Sequence, residues 1–421
     1  MENRIIAKNG IPIFSYVNPS SHGFFISLFL RSGSMYESER DNGITHFLEH
    51  IAIRNVNKIM GGNLYSTLDK YAIEFNASSY SEMVQFYLSG ASENIGVAID
   101  IISKLLMPIS LPTEDIEAER DRIKAEIREG DEVGSLSAFT QKNVWESTSL
   151  SRPITGTRGG VSKITRSRIE NYRYQSFTKD NLFLYVTGNV KDSDIMSLSE
   201  RIGEYKLNEG TAHNNLAPVP NNFGKRGGKV TLKNADFTKV CYTFDLDMSR
   251  LSMPEIDLMY DTMLGGYSSK FFIEMSEKRG LFYDINGSVE RYGNIGTLSF
   301  TYEVKEQQLI EATELTIEIL KHFKTRLLED CDLFKASYVD NAMMLYDDNR
   351  ELNFTMAYDN HILGLGYENL EARREAYRAI TPERFMVVAN TIFTPDNLTV
   401  TLKGRHKKIN TDEIKAIICK L

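Results

Sequence analysis

The hexapeptide Phe177-Thr178-Lys179-Asp180-Asn181-Leu182 returns 216 residues later as Phe393-Thr394-Pro395-Asp396-Asn397-Leu398. Around it, Ile164-Thr165, Arg168 and Gly188 match Ile380-Thr381, Arg384 and Gly404, giving nine identities in 25 positions. Each copy reads as a helix, a turn at Thr-x-Asp-Asn and then a strand, 182–186 in one and 398–402 in the other. A strand-ending Gly and a last amphipathic helix complete both copies. A period this long is not a solenoid and reads as domain duplication. Chance similarity of two ordinary helix–turn–strand units is the alternative, and length argues against it. The chain has 421 residues, whereas single cores stop growing at about 250–300.

Between the copies, residues 207–227 are rich in Asn, Pro and Gly and lack periodicity, so they read as a linker. The expected plan is therefore a first domain at 1–206 and a homologous second at 228–421. In the first half, 23–31 is an apolar strand, 42–57 a helix, and 72–79 and 82–89 adjacent strands. Two further helices are expected at 93–106 and 113–129, the latter with Thr113 as N-cap and acids in its first turn. Strands and long helices mix in both halves, so the expected class is α+β, each domain a mostly antiparallel sheet with helices packed on it.

Hydrophobic content of 42% and charged content of 25% describe a soluble globular chain. No stretch approaches the ~18 apolar residues of a membrane span. The start, Met1-Glu2-Asn3-Arg4-Ile5, lacks the features of a secretory signal. Cys241, Cys331 and Cys419 are far apart and form no CxxC pair, which fits a reducing compartment and a cytoplasmic location. The net charge of −8 argues against nucleic acid as the main partner and suits, weakly, a basic peptide.

The chemistry centres on His46-Phe47-Leu48-Glu49-His50. On a helix the two histidines, four apart, share a face and can reach one ion. This is the HxxEH order, the inverse of HExxH. Two imidazoles and a carboxylate suit Zn²⁺ with a position left for water, and Glu49 can act as general base. A chain with seven histidines would show this pattern by chance roughly 0.01 times. A solvated His-Glu-His face is the bland alternative, but Phe47, Leu48 and Ile51 mark the helix as buried, and buried polar groups need partners. The helix 113–129 offers Glu114, Glu117, Glu119, Glu126 and Glu129 as a third ligand, and spacing alone does not choose among them. Glu119 and Glu126, seven apart, share a face.

Gly43-Ile44-Thr45-His46-Phe47-Leu48-Glu49-His50 resembles the zinc helix of the pitrilysin, or insulinase-like, metallopeptidases, and the resemblance runs through nearly the whole chain. It is nearest the half-length branch typified by mitochondrial processing peptidase and its bacterial relatives. The resemblance implies one zinc per chain held by His46, His50 and Glu126, with Glu49 as base and Glu119 steadying the site. It implies a substrate-pairing edge strand at Phe75-Asn76-Ala77-Ser78-Ser79, with Asn76 and Ala77 in contact. A plain sheet strand would read the same way.

In the second half, Gly265-Gly266-Tyr267 through Tyr283 is similar to the family's substrate-binding motif, in which an Arg precedes a Tyr by seven residues. Tyr283 fills the Tyr position, but Ser276 stands at the Arg position. The resemblance implies a zinc endopeptidase for short or unfolded peptides, including leader peptides, and the broken pair implies that it is the catalytic subunit of a heterodimer whose homologous partner supplies Arg and Tyr. A homodimer using Tyr283 alone and a non-catalytic structural subunit are the alternatives.

Overall fold

The computed structural model describes all residues except 131–134, 211, 215, 327–334, 337–338 and 341. Cys331 lies outside the described residues. The chain divides into two units, each assembled from three stretches: Met1–Asp131, Arg152–Asn215 and Met343–Asn369 in the first, and Glu132–Ser151, Leu216–Ala342 and Leu370–Leu421 in the second.

The first unit holds a six-stranded sheet of β1 (Asn3–Ile6), β2 (Pro12–Val17), β3 (Gly23–Leu30), β4 (Glu74–Ser79), β5 (Val84–Ala91) and β6 (Leu182–Gly188), in the order β1-β2-β6-β3-β5-β4. Only β2 and β6 run parallel; the other pairings are antiparallel. The central strands β3 and β6 are buried along nearly their whole length. That is why they read as unbroken apolar runs, while the edge strand β4 reads as polar.

Helices α1 (Ile44–Ile59), α2 (Ile95–Ser103), α3 (Thr113–Glu129), α4 (Arg166–Ser176) and α5 (Asp192–Gly203) belong to this unit, as do the shorter helices Leu64–Tyr71 and Arg158–Val161 and, from far along the chain, the helix Asn349–Ala357. Phe47, Leu48, Ile51 and Val56 of α1 join Ile99, Ile102, Ile123, Leu28 and Leu184 in one core. Each such side chain contributes on the order of 1.5–3 kcal/mol on burial. The helix Asn349–Ala357 packs on β3 and β6. Its Asn353 is fully buried and fully used: the amide donates to Tyr185 O and Phe25 O, and Oδ1 accepts from Ser27 Oγ at 2.7 Å.

The second unit repeats the plan with β7 (Lys229–Asn234), β8 (Lys239–Asp247), β9 (Ile285–Tyr292), β10 (Ile295–Glu303) and β11 (Leu398–Gly404), ordered β7-β11-β8-β10-β9. With β1 set aside, both sheets place their strands in the same chain-order permutation, and in both the single parallel pair joins first to last. β6 and β11 lie 216 residues apart at both ends. So do α4 and its counterpart Pro382–Ile392, the former following Thr165 and the latter Thr381. The duplication and the α+β class expected from sequence are present.

Arg226 anchors the helix Leu136–Trp145 to the second unit. Its fully buried guanidinium donates to Asp245 at 2.9 Å and to Val144 O at 2.5 Å.

Element ends differ from the sequence expectation by a few residues. α1 starts at Ile44 rather than 42, because Gly43 (φ +92°) breaks the helical path. A side chain there would strike Gly156, itself at φ +74°, where the two backbones cross. The N-cap of α3 is Pro112, not Thr113: its ring presets φ at −68° and it has no N–H to satisfy. Glu114 and Asp115 do sit in the first turn. Around α2 the expected helix 93–106 frays into short 3₁₀ turns at Ser92–Asn94 and Lys104–Leu106.

Candidate metal centre

α1 presents His46, Glu49 and His50 from its first two turns, with His46 and Glu49 buried and His50 half-buried. Its N-terminus is fixed by a residue that spacing arguments passed over. The Glu37 carboxylate accepts the N–H groups of Gly43 and Thr45 at 2.8 and 2.9 Å and the Asn42 amide at 3.0 Å. A carboxylate there satisfies orphan helix donors and complements the helix dipole. Burial raises the Glu37 pKa in spite of these donors.

α3 packs against α1 and brings its carboxylates to the histidine face. Glu126 Oε1 lies 3.5 Å from His46 Nε2, and Glu126 Oε2 lies 3.4 Å from His50 Nε2. Among the described residues, His46, His50 and Glu126 form the one group of three or more His, Cys, Asp or Glu side chains gathered closely enough to hold an ion. Tetrahedral zinc with ligand bonds of about 2.1 Å sets its ligand atoms about 3.4 Å apart. The two nitrogen–oxygen separations are of that size but reach different Glu126 oxygens, and one ligand atom from each of the three residues lies within 4.8 Å of the others, so the donor set of two imidazoles and a carboxylate is close enough to draw in around a zinc ion. Glu126 is itself exposed; Glu114, Glu117 and Glu129, the other acids weighed on this helix, are exposed too and do not gather with the histidines.

Glu119 lies one layer behind. Its Oε2 is 3.2 Å from Nδ1 of His50, and its Oε1 accepts from Arg54 at 2.7 Å. Arg54 also donates to Asp115 at 2.6 Å. The sequence carried a signal for Arg54 that went unread: His46, His50 and Arg54 are spaced by four, so the arginine extends the same stripe. The buried Nδ1 of His46 has no hydrogen-bond partner among the described residues.

The electrostatics favour a cation here. Hydrogen bonding from His46, and then His50, holds the Glu126 carboxyl below its ordinary pKa. Burial would raise Glu119, but His50 and Arg54 outweigh it and hold that carboxyl low as well. Burial opposes charge on His46, yet Glu126, Glu49 and Glu37 hold its pKa above the ordinary value. Carboxylates thus stabilise positive charge where the ligand atoms converge.

Glu49 points to the edge strand β4, where its Oε2 accepts a 2.6 Å hydrogen bond from Ser79 Oγ. β4 pairs only with β5, so one edge of its backbone is open. Asn76 is exposed on this strand and uses Oδ1 to hold the N–H of Ala77.

Tyr283 belongs to the second unit, on the loop entering β9, and is 99% exposed. Ser276 bonds locally to Phe282 O at 3.1 Å. Arg279 is engaged by Glu274. The second unit's helix α6 (Met253–Leu264) carries Asp257, Tyr260 and Asp261 at the same spacing as His46, Glu49 and His50. Asp257 is occupied by Arg291 at 2.6 Å and by the Tyr377 hydroxyl at 2.8 Å.

Residues 13–158 match the family described as Insulinase (Peptidase family M16), and residues 163–332 match the Peptidase M16 inactive domain. The chain belongs to this peptidase family. It falls in the half-length branch, where chain and relatives cover one another almost end to end. An uncharacterized zinc protease of Rickettsia bellii is 25% identical over 92% of this chain and 91% of its own. A protease from Helicobacter pylori shares the fold with a TM-score of 0.85 at 15% identity, covering 96% of this chain and 99% of that one. A chain of complex III2 from Candida albicans does so with a TM-score of 0.81 at 12% identity, covering 99% of each. No helix of the described residues is long and apolar enough to cross a membrane.

Proposed function

We propose that this chain is the catalytic subunit of a zinc endopeptidase acting on short or unfolded peptides, leader peptides among them. The observation that carries the reading is the convergence of His46, His50 and Glu126, whose ligand atoms lie within 4.8 Å of one another, with Glu49 between that group and the edge strand β4. His46, His50 and Glu126 would hold one zinc, which supplies Lewis acidity when bound. Glu49 takes the proton of the attacking water and returns it to the leaving amine. Glu119 accepts from His50 Nδ1 and fixes the ring's tautomer. The substrate backbone adds to β4 beside Asn76 and Ala77, so main-chain pairing gives affinity with little sequence preference.

Tyr283, exposed and lacking an arginine at position 276, works with a homologous partner that supplies the missing Arg and a second Tyr. An exposed free thiol at Cys419 suits a reducing, cytoplasmic setting. The second reading is a non-catalytic structural subunit; the neighbour from Candida albicans complex III2 shares the fold. The complete ligand set and the poised Glu49 speak against it. The deciding experiment measures bound zinc and peptide cleavage for the wild-type chain and Glu49→Gln, with and without a co-encoded relative. Zinc retained and cleavage lost in the variant supports catalysis; cleavage that survives the substitution rejects it. Full activity of the purified chain alone rejects the heterodimer.

A further inference from the structure

We infer that Ser79 is a positioning residue for Glu49, tying the proposed general base to the strand that would receive the substrate. The inference rests on the peptidase reading above. Glu49 is buried, and the Ser79 hydroxyl is the one hydrogen-bond partner of its carboxylate among the described residues, at 2.6 Å to Oε2. A glutamate carboxylate has three side-chain torsions to settle before a lone pair meets a water. The Ser79 hydroxyl removes that freedom by occupying Oε2 and leaving Oε1 to accept the proton.

The donor's place in the fold matters equally. Ser79 is the last residue of β4, and its backbone register is set by Val84 on β5. The same strand is the edge of the sheet, pairing with β5 alone. A peptide lying along β4 stiffens the strand that holds the base, so docking and base orientation act through one element. Neutral Ser79 adds no charge to the metal face. Its loss therefore leaves zinc affinity alone, unlike loss of Glu119 or Glu126.

The test uses zinc-loaded full-length chain, with its homologous partner where cleavage requires one, and compares wild type, Ser79→Ala, Ser79→Thr and Glu49→Gln. Ser79→Ala should lower kcat about tenfold, a tenth of the 10²–10⁴-fold range open to the base itself or less. KM, zinc affinity by chelator competition and thermal midpoint should stay at wild-type values, and Ser79→Thr should restore kcat. Wild-type kcat in Ser79→Ala overturns the inference. So does a fall in zinc affinity or thermal midpoint that accounts for the lost rate, since Ser79 would then be structural. Cleavage retained by Glu49→Gln identifies a failure of the peptidase reading itself, separately from any result at Ser79.

Discussion

His50 is held between two carboxylates of one helix: Glu119 Oε2 lies 3.2 Å from its Nδ1, and Glu126 Oε2 lies 3.4 Å from its Nε2. The seven-residue spacing of the two acids on α3 spans the ring, so each nitrogen meets its own partner. Glu119→Gln keeps the shape but removes the charge behind His50. Zinc affinity should fall 10–100-fold, measured by chelator competition, with the fold intact by circular dichroism.

Glu126→Gln should be more severe, because it removes a ligand rather than its support. Inductively coupled plasma analysis of the purified variant should find zinc well below one equivalent, while wild type holds one. A full equivalent in the variant would remove Glu126 from the ligand set.

The proposed ligands lie on the first unit, so zinc should stabilise that unit by mass action. At one hundred times the Kd the gain is about 2.7 kcal/mol, which for a unit of about 200 residues moves its thermal midpoint by about 5–10 °C. Scanning calorimetry with added zinc should show the shift in wild type and none in His50→Ala.

Glu255 caps α6 through the Ser252 N–H and pairs with Arg384. Burial would raise its pKa, but Arg384 and Ser252 outweigh it and hold the folded value below 4.5. Its stabilisation is therefore fully present above about pH 4.5 and is lost as pH falls through the lower folded value. Glu255→Gln should cost about 1–2 kcal/mol at pH 7. The difference between variant and wild type in urea melts should shrink towards pH 3.

Arg226→Met strands Asp245 in the interior of the second unit without its counter-charge. Breaking a buried pair from one side costs about 3–5 kcal/mol, and this substitution also frees the carbonyl of Val144. Urea denaturation should show the loss. A double variant that also carries Asp245→Leu should recover part of it.

The parts of this fold that repeat at short or fixed spacing were legible in the sequence. His46 and His50 share a face because a helix turns every 3.6 residues. Glu119 and Glu126 share one for the same reason. The 216-residue offset transfers the α4–β6 unit onto its copy residue for residue. Contacts made by chain segments that meet only in three dimensions were not legible. Glu37 caps α1 from an irregular turn, and nothing in its neighbours sets it apart from other acids. Residues 135–151 and 343–369 each join the unit built mainly from the other half of the chain. That choice depends on Arg226 and Asn353 finding partners far away in sequence. Ser79 was visible as part of a strand, but its hydroxyl's target was not, because the side-chain direction at a strand end depends on the packing of the helix beside it.

The Arg291–Asp257–Tyr377 cluster of the second unit has a practical consequence. Here the second copy carries a positive charge of its own chain, Arg291, paired with Asp257 at the helix position that corresponds to the proposed ligands. On the proposed reading, zinc starvation would stop cleavage while leaving the second unit folded and ready for the metal's return.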